Sequence, residues 1–537
     1  MRSPRSQSIA ILLILLTASL GGGWLGGRLL AQQKQPSLDQ QMREYADVLG
    51  ALEEWAPHEV GTGDLIYGSI HGLVRALDPH SQFFAPRDYT EVRDKHAGSY
   101  YGVGLLVSQR ENRVVVITPM EGGPAGRLGV RPGDVIVEVD AVSTENITYD
   151  KVTDMLRGPK GTPVEVKIRR EGFVEPLHFT IRREAITTKA VNAAFLIEPG
   201  VAYIRVNDFT NTTEREFDAA IDRLSETELR GIIIDLRGNG GGVLDAAIAI
   251  ADRFLEKGQM VAYTQGNAPG SNEQYLAPGT KARLETPLVV LVNQGSASAS
   301  EIVAGAVQDH DRGLVVGEIT WGKGLVQSVY NLGHGAGIAL TTARYYTPSG
   351  RNIQRDYSSL YDYYTHEMPG EAPADMMFTT ATGRTVYGGG GIRPDIRVAL
   401  EQKPRVVQVI EARAIAFDLA VKAHSRDPLL FDRPIESHLL AEFEQAVLQR
   451  SILPEERVRA AFADAEVRPH FERLLKSELV AVAQGYENSY PFRLRGDSQI
   501  EHAIAALPDA RKLAARAFEK RQDELARSDE KRSQSPS

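Results

Sequence analysis

The chain has 537 residues, 42% of them apolar, and its 70 acidic and 61 basic side chains give a formal charge of −9. Folding at this size buries about 78% of the unfolded surface, so large cores are feasible, and roughly 150 residues per domain suggests three or four domains. The acidic balance leaves no electrostatic footprint for nucleic acid, and the absence of cysteine excludes thiol nucleophiles, disulfides and cysteine-based zinc sites together.

Arg2 and Arg5 precede an uncharged stretch, Ser6 to Gly27, that is most apolar from Ile9 to Leu16. A basic start followed by a short apolar run is an export signal. Residues 1–30 are therefore expected to be a cleaved signal or a retained anchor, which keeps membrane association open. The lack of an A-x-A site and the glycines at 21–23, 26 and 27 leave that choice undecided, and a buried core helix is the plainer alternative. Either export reading places the rest of the chain outside the cytoplasm.

A helical region is predicted over 36–96, with helices from Leu38 to about Trp55 and from Thr62 to Leu77 before the Asp78-Pro79 turn. From Tyr100 the period becomes strand-like. Strands are expected at 102–107, 113–117, 135–139, 164–169 and 177–182, with a helical piece over 149–157, forming a unit at 97–184. Between 185 and 398 strands and helices alternate. Ile232-Ile233-Ile234 and Leu288 to Val292 are almost continuous apolar runs, as in strands covered on both faces. That is an α/β layer architecture. A helical extension follows over 400–515, then a charged, flexible tail at 516–537. The extension reads equally as a surface for oligomerisation or adaptor binding and as a domain covering the core's edge. A Tyr-rich insert between Gln354 and Gly388 reads as a lid or, more plainly, a packed loop.

Two strand ends open onto unusual loops. Leu236 leads into Arg237-Gly238-Asn239-Gly240-Gly241-Gly242, and Val292 leads into a loop carrying Ser296, Ser298 and Ser300. Ligands of open α/β sheets bind at the carboxyl ends of strands. Alone, the glycine loop fits an oxyanion hole, a phosphate nest or a tight turn, and each serine fits a helix cap. Gly317 to Lys323 satisfies the front of a P-loop, but Gly324 stands where Ser or Thr should follow, and a strand pattern replaces the helix. Nucleotide binding therefore fails its tests. Lys323, between two glycines and beside Trp321, is instead a candidate base, or a plain turn lysine.

The stretch Leu291 to Gln327, with D-L-R-x-N-x-G-G at 235–242 and D-P-H-S-x-F at 78–83, resembles the carboxyl-terminal processing proteases, the tail-specific serine peptidases of family S41. The resemblance spans most of residues 38 to 398. It implies a Ser–Lys dyad; Ser298, 25 positions before Lys323, is selected over Ser296 and Ser300. Gln327 matches the position that orients the lysine. The oxyanion hole falls to the N–H of Ala299 and of Gly241 or Gly242. Asp309 aligns with a supporting acid but reads more simply as a solvated helix-end carboxylate. His310 and His334, the nearest histidines for a rival triad, read as structural. Asp309-His310-Asp311 cannot aim three consecutive side chains at one ion, so no metal is predicted, and no cofactor is called for.

Residues 97–184 resemble a PDZ domain, with Gly102-Val103-Gly104-Leu105 as the carboxylate-binding loop and Leu128 to Asp134 as an internal signature. Such domains add a peptide strand to a sheet edge and hold its terminal carboxylate on backbone N–H groups. The expectation is a multi-domain α/β protein with an α/β protease core and an inserted, mostly β PDZ domain, flanked by helical segments. It would be an exported endopeptidase acting on proteins or peptides with free C-termini. The alternative is a non-proteolytic PDZ scaffold.

Overall fold

The computed structural model describes residues 37–58, 60–279, 283–358, 361, 365 and 376–533. The expected export signal and most of the Tyr-rich insert lie outside them. Among the described residues no helix is long and apolar enough to cross a membrane. The chain divides into two compact units after Asp78. The first holds α1 (Leu38–Trp55), whose Ser37 hydroxyl caps the Gln40 N–H, and α2 (Thr62–Arg75).

The second unit opens with β1 (Gln82–Phe84) and α3 (Pro86–Ala97), which ends where Gly98 turns left-handed. A two-stranded ribbon, β2 (Ser99–Gly102) with β9 (Glu184–Thr187), then brackets the inserted β domain. That domain contains β3 (Leu105–Arg110), β4 (Arg113–Pro119), α4 (Pro124–Arg127), β5 (Val135–Val139), β6 (Val142–Ser143), α5 (Tyr149–Leu156), β7 (Pro163–Arg169) and β8 (Leu177–Arg182). Its sheet runs β3-β4-β5-β7-β8, which leaves β3 as an edge. Alternating Val and Ile from these strands close its own core against Val152 and Leu156 of α5.

The α/β core is a six-stranded sheet ordered β10 (Val191–Glu198), β11 (Val201–Val206), β12 (Gly231–Asp235), β15 (Leu288–Val292), β16 (Leu314–Gly317) and β21 (Ile396–Arg397). From β11 onward the strands are parallel. On one face lie α6 (Thr213–Leu224), α7 (Leu244–Asp252) and α8 (Ala299–Asp309). A second sheet is built on the long β18 (Ala336–Tyr346), which pairs with β1, β17 (Leu325–Gly333) and β13 (Met260–Gln265); β14 (Gln274–Leu276) follows β13. A small hairpin, β19 (Met377–Thr379) with β20 (Thr385–Tyr387), closes the insert.

The helical extension does two separate jobs. Helices α9 (Arg405–Ala412), α10 (Ile415–Arg426), α11 (Ser437–Gln449), α12 (Glu455–Ala463) and α13 (Arg468–Gln484) share one core with Val115, Ile117 and Val135 of the inserted domain. The Arg110 guanidinium lies 4.2 Å over the Phe417 ring and 3.5 Å from Asp418. After the short α14 (Tyr490–Arg493), the long α15 (Ser498–Ser533) lies across the second face of the six-stranded sheet. Its Ile500, Ala503, Ala506, Leu507 and Ala510 are buried against Tyr203, Ile233, Val289, Leu291 and Val316. A side chain at Gly231 would meet Leu507 at 2.6 Å, so the approach is close. Each large apolar residue buried there stabilises by about 1.5–3 kcal/mol. The extension therefore covers a sheet face rather than an edge. The expected flexible tail from 516 is helical to Ser533, because α15 continues past the sheet and Arg521 pairs with Glu256.

Candidate active site

Three neighbouring parallel strands, β12, β15 and β16, end side by side, and each feeds a loop of the site. The loops are 237–242, 293–298 and 318–324. Parallel pairing thus brings together residues some 80 positions apart in the chain. Ser298, Ala299, Gly242, Lys323 and Gln327 line one cavity of about 390 Å³. Its walls include Phe84, Val92, Leu244, Ile302, Leu325 and Val326, so a bound chain would present apolar groups there.

Ser298 sits at φ 55°, ψ −112°, immediately before α8. A non-glycine residue at positive φ costs about 1–3 kcal/mol and persists only where its surroundings over-determine it. Here they do. Glu301 Oε2 accepts the Ser298 N–H at 2.8 Å, the Tyr345 hydroxyl donates to the Ser298 carbonyl at 3.3 Å, and the Ala297 N–H donates to the Asn239 carbonyl at 3.0 Å. The sharp strand-to-helix turn lifts the Ser298 side chain toward the cavity and leaves the first N–H groups of α8 without intrahelical partners.

The other two serines lock loops together. Ser296 Oγ donates to the Leu236 carbonyl and Ser300 Oγ to the Asn239 carbonyl, both at 2.8 Å, and both side chains are fully buried. They join the serine loop to the glycine loop. The spacing implied by the resemblance selected Ser298; of the three serines, Ser296 and Ser300 have hydroxyls committed to backbone carbonyls.

Glu301, fully buried, was missed by sequence reasoning. Besides Ser298, its carboxylate accepts the Thr320 hydroxyl at 2.5 Å, the Gly322 N–H at 2.7 Å and the Lys323 N–H at 2.9 Å. One side chain therefore fastens the backbone of the serine loop to the backbone of the lysine loop. Burial pushes the carboxyl above its usual range, although the four donors pull the other way. The only sequence signal was a Glu three residues after a Ser, which reads as a capping box.

Lys323 Nζ donates to Gln327 Oε1 at 2.7 Å. The other end of that amide, Gln327 Nε2, donates to the His80 carbonyl, which determines that the oxygen faces the lysine. The Ser81 hydroxyl in turn accepts the Thr341 N–H, tying the 78–83 motif to β18.

Gly241 requires a correction. Its N–H is committed to Asn239 Oδ1 at 2.8 Å, so it is not available to a ligand as placed. Its contribution is space: a Cβ there would lie 2.8 Å from the Cβ of Ser298. Gly242, at φ 143°, packs so tightly that a Cβ would fall 2.0 Å from the Phe209 carbonyl oxygen. Asp309 is also corrected. It is buried, accepts from Arg351 at 2.6 Å and binds the Ser349 hydroxyl at 2.7 Å, so it holds the loop after β18 rather than facing water.

His310 caps the far end of α8 and His334 sits exposed in the β17–β18 turn; neither lines the cavity. A histidine does line it, but it is His96 of α3, kept below its ordinary pKa by burial and by Lys95. At the end of β12, burial alone would raise the Asp235 carboxyl, but Arg237, Arg205 and the Tyr203 hydroxyl bring it below the usual range. Arg237 also reaches Asp497 and Gln499 at 2.8 Å each, which ties the glycine loop to the start of α15.

In the inserted domain, Gly102, Val103, Gly104 and Leu105 form the turn from β2 into β3, and Gly104 adopts φ 71°. Val116 gives its N–H to the Asp134 carbonyl and accepts the Gly133 N–H. Val107, opposite Val116 on β3, therefore turns its own N–H and carbonyl to the open edge. Tyr149 of α5 donates its hydroxyl to that carbonyl at 3.2 Å.

Comparison with known proteins matches residues 200–358 to Peptidase family S41 and residues 115–170 to a PDZ domain. A carboxy-terminal-processing protease of Bartonella bacilliformis is 40% identical over 294 residues, 54% of this chain and 67% of its own. A carboxyl-terminal-processing protease of Synechocystis is 39% identical over 310 residues, 56% of this chain and 72% of its own. Among solved structures, a photosystem II D1 C-terminal processing protease shares 31% identity over 66% of this chain and 86% of that one, with a TM-score of 0.35. These relatives set the scaffold reading aside: the chain is a serine-type peptidase with a PDZ domain and belongs to peptidase family S41, the carboxyl-terminal processing proteases.

Proposed function

We propose that this peptidase is exported, takes protein C-termini into its PDZ groove, and cleaves nearby peptide bonds with Ser298 as nucleophile and Lys323 as general base. The observation that supports it most is the single cavity shared by Ser298, Lys323, Gln327, Ala299 and Gly242. Gln327 holds one Lys323 N–H, and in the role of general base the lysine acts as the neutral amine. Ser298 Oγ gives its proton to Nζ as it attacks the substrate carbonyl, and the developing oxyanion takes the N–H groups of Ala299 and Gly242. Collapse expels the amine, which receives the proton from the lysine. Water then enters by the same route to release the acyl-enzyme.

The substrate tail adds to the open edge of β3, beside α5, with its carboxylate on the N–H groups of the 102–105 loop. Export rests on the basic and apolar N-terminus. The membrane, adaptor and homo-oligomer partners expected from the chain ends are not required by this chemistry.

The test uses the chain lacking its first 30 residues, with Ser298→Ala and Lys323→Ala, on an unstructured protein with an apolar tail and on a tail-amidated copy. The parent should cleave, preferring the free tail, while each variant loses about 10⁴-fold or more in kcat and still binds the tail. Retained cleavage in Ser298→Ala would overturn the nucleophile; equal cleavage of both copies would remove the tail-reading role.

A further inference from the structure

At the opposite end of α8 from Ser298 lies a second cavity, of about 440 Å³, between the core and α15. The peptidase chemistry has no use for it. It is lined by Arg312 and His310 at the end of α8, by Leu284, and by Ala517, Phe518 and Arg521 of α15.

Arg312 is unusual there. It is 7% exposed, and its Nη2 donates to the Arg283 and Thr286 carbonyls at 2.6 and 2.8 Å. Its Nε and Nη1 are buried without a hydrogen-bond partner among the described residues. Among the described residues no carboxylate acts on it; its guanidinium carbon lies 5.8 Å from the centre of the Phe254 ring, and burial pushes the guanidinium down to about 10. A cation so far from water is expensive unless an anion neutralises it.

The neighbouring groups do not fill that role. Glu256, in the same cavity, pairs with Arg521 at 3.6 Å, and Glu524 is exposed at the rim. His310 donates Nε2–H to the Met260 carbonyl, accepts from Gln259 at Nδ1 and is kept neutral by burial. Lys520, a second cation of the lining, is bonded to a carbonyl oxygen, that of Ala381, rather than to a carboxylate. On the α15 side Ala514, Ala517, Phe518 and Leu525 supply apolar surface beside the charged Lys520, Arg521 and Glu524, and Phe518 and Leu525 are 46% and 47% exposed. A guanidinium paired with carbonyls and a ring but with no anion, at one end, and the apolar side chains of α15 at the other describe a single kind of ligand.

We propose that this cavity binds a carboxylate with a short apolar body, its head on Arg312 and its body against Ala517, Phe518 and Leu525. Bound there, it would join the end of the catalytic helix to the outer half of α15.

Octanoate, acetate and 1-octanol are the probes, on the same chain, with thermal unfolding and calorimetric titration as readouts. Octanoate should stabilise saturably, by about 3 °C at a hundredfold excess over Kd, with acetate weaker and octanol without effect. Arg312→Met should abolish the octanoate response. Ala517→Phe, which fills the apolar wall and leaves every charge in place, should weaken octanoate at least tenfold and spare acetate. An octanoate response equal in parent and Arg312→Met would place the ligand elsewhere, the catalytic cavity included, and overturn the proposal. No saturable response in the parent would do the same. If Arg312→Met does not fold, Ala517→Phe decides: an unchanged octanoate Kd sinks the idea.

Discussion

The catalytic corner and the PDZ loop both offer backbone N–H groups beside glycines, yet they are held in opposite ways. Ser298 carries a side chain at φ 55° and is pinned from Glu301, Tyr345 and Asn239. The PDZ loop places its positive φ on Gly104, at 71°, and is tied by two backbone bonds, Met120 N–H to the Gly104 carbonyl and Ala125 N–H to the Val103 carbonyl. Ser298, the proposed nucleophile, cannot be replaced by a glycine in that role, so its strain has to be met by surrounding groups. A carboxylate cradle needs no side chain and can use a relaxed glycine turn. The first site should therefore fail abruptly when a support is removed, and the second should weaken by degrees.

The strongest way to break this comparison is Glu301→Gln, which keeps the shape but turns one acceptor oxygen into a donor facing buried N–H groups. We expect kcat to fall about 10²–10³-fold and stability to drop by about 1–3 kcal/mol, with tail-peptide affinity unchanged. Kinetics on an internal substrate, peptide titration and denaturant unfolding separate the three. Normal kcat in this variant would mean that Ser298 holds its geometry unaided.

Gly104→Ala tests the other side. The new Cβ would meet Ile186 at 3.1 Å and the Gly123 Cα at 3.2 Å, at a φ that alanine disfavours by about 1 kcal/mol or more. Tail affinity should fall about tenfold while cleavage of tail-independent peptides is preserved. Loss of both together would show that the two sites are not separable.

A pH scan sharpens the contrast at the far end of α8. Burial lowers the His310 pKa below 6.5 despite Asp309 and Asp311, with Arg521 adding to the effect. The unfolded chain therefore binds this proton first as pH falls. Stability contributed by neutral His310 is full above pH 6.5 and declines as pH drops from 6.5 toward the folded pKa, by at most about 1.4 kcal/mol per pH unit. Unfolding midpoints between pH 7.5 and 5 should show this slope, and His310→Gln should flatten it.

The smallest expected effect concerns Tyr149, whose hydroxyl occupies the edge carbonyl of Val107. Tyr149→Phe removes that competitor for the incoming strand. Tail peptides should bind about fivefold tighter, corresponding to one net hydrogen bond of about 1 kcal/mol. Weaker binding would mean that the hydroxyl contacts the peptide instead.

Much of this molecule was legible before folding. Continuous apolar runs marked β12 and β15 as doubly covered strands, and helix periodicity located α1. Motif spacing singled out Ser298, Lys323 and Gln327, which line one cavity. Glu301 was illegible in its main role because three of its four donors belong to a loop about 20 residues further along. Asp309 looked solvated because its partner, Arg351, lies 42 positions away and arrives only through β18. Gly241 and Gly242 looked equivalent because nothing local reveals that Asn239 takes the first N–H.

The sequence by itself determined the elements, their polarity and the residue types of the site, since period, composition and turn chemistry act over a few neighbouring residues. The tertiary structure decided which groups face one another. Parallel strand order set three loops side by side, a buried carboxylate joined two of them, and the first part of α15 became a wall of the core sheet rather than the cover of an edge. Those outcomes depend on contacts between distant residues, and a hydrogen-bond partner or a covered face exists only after the chain has closed on itself.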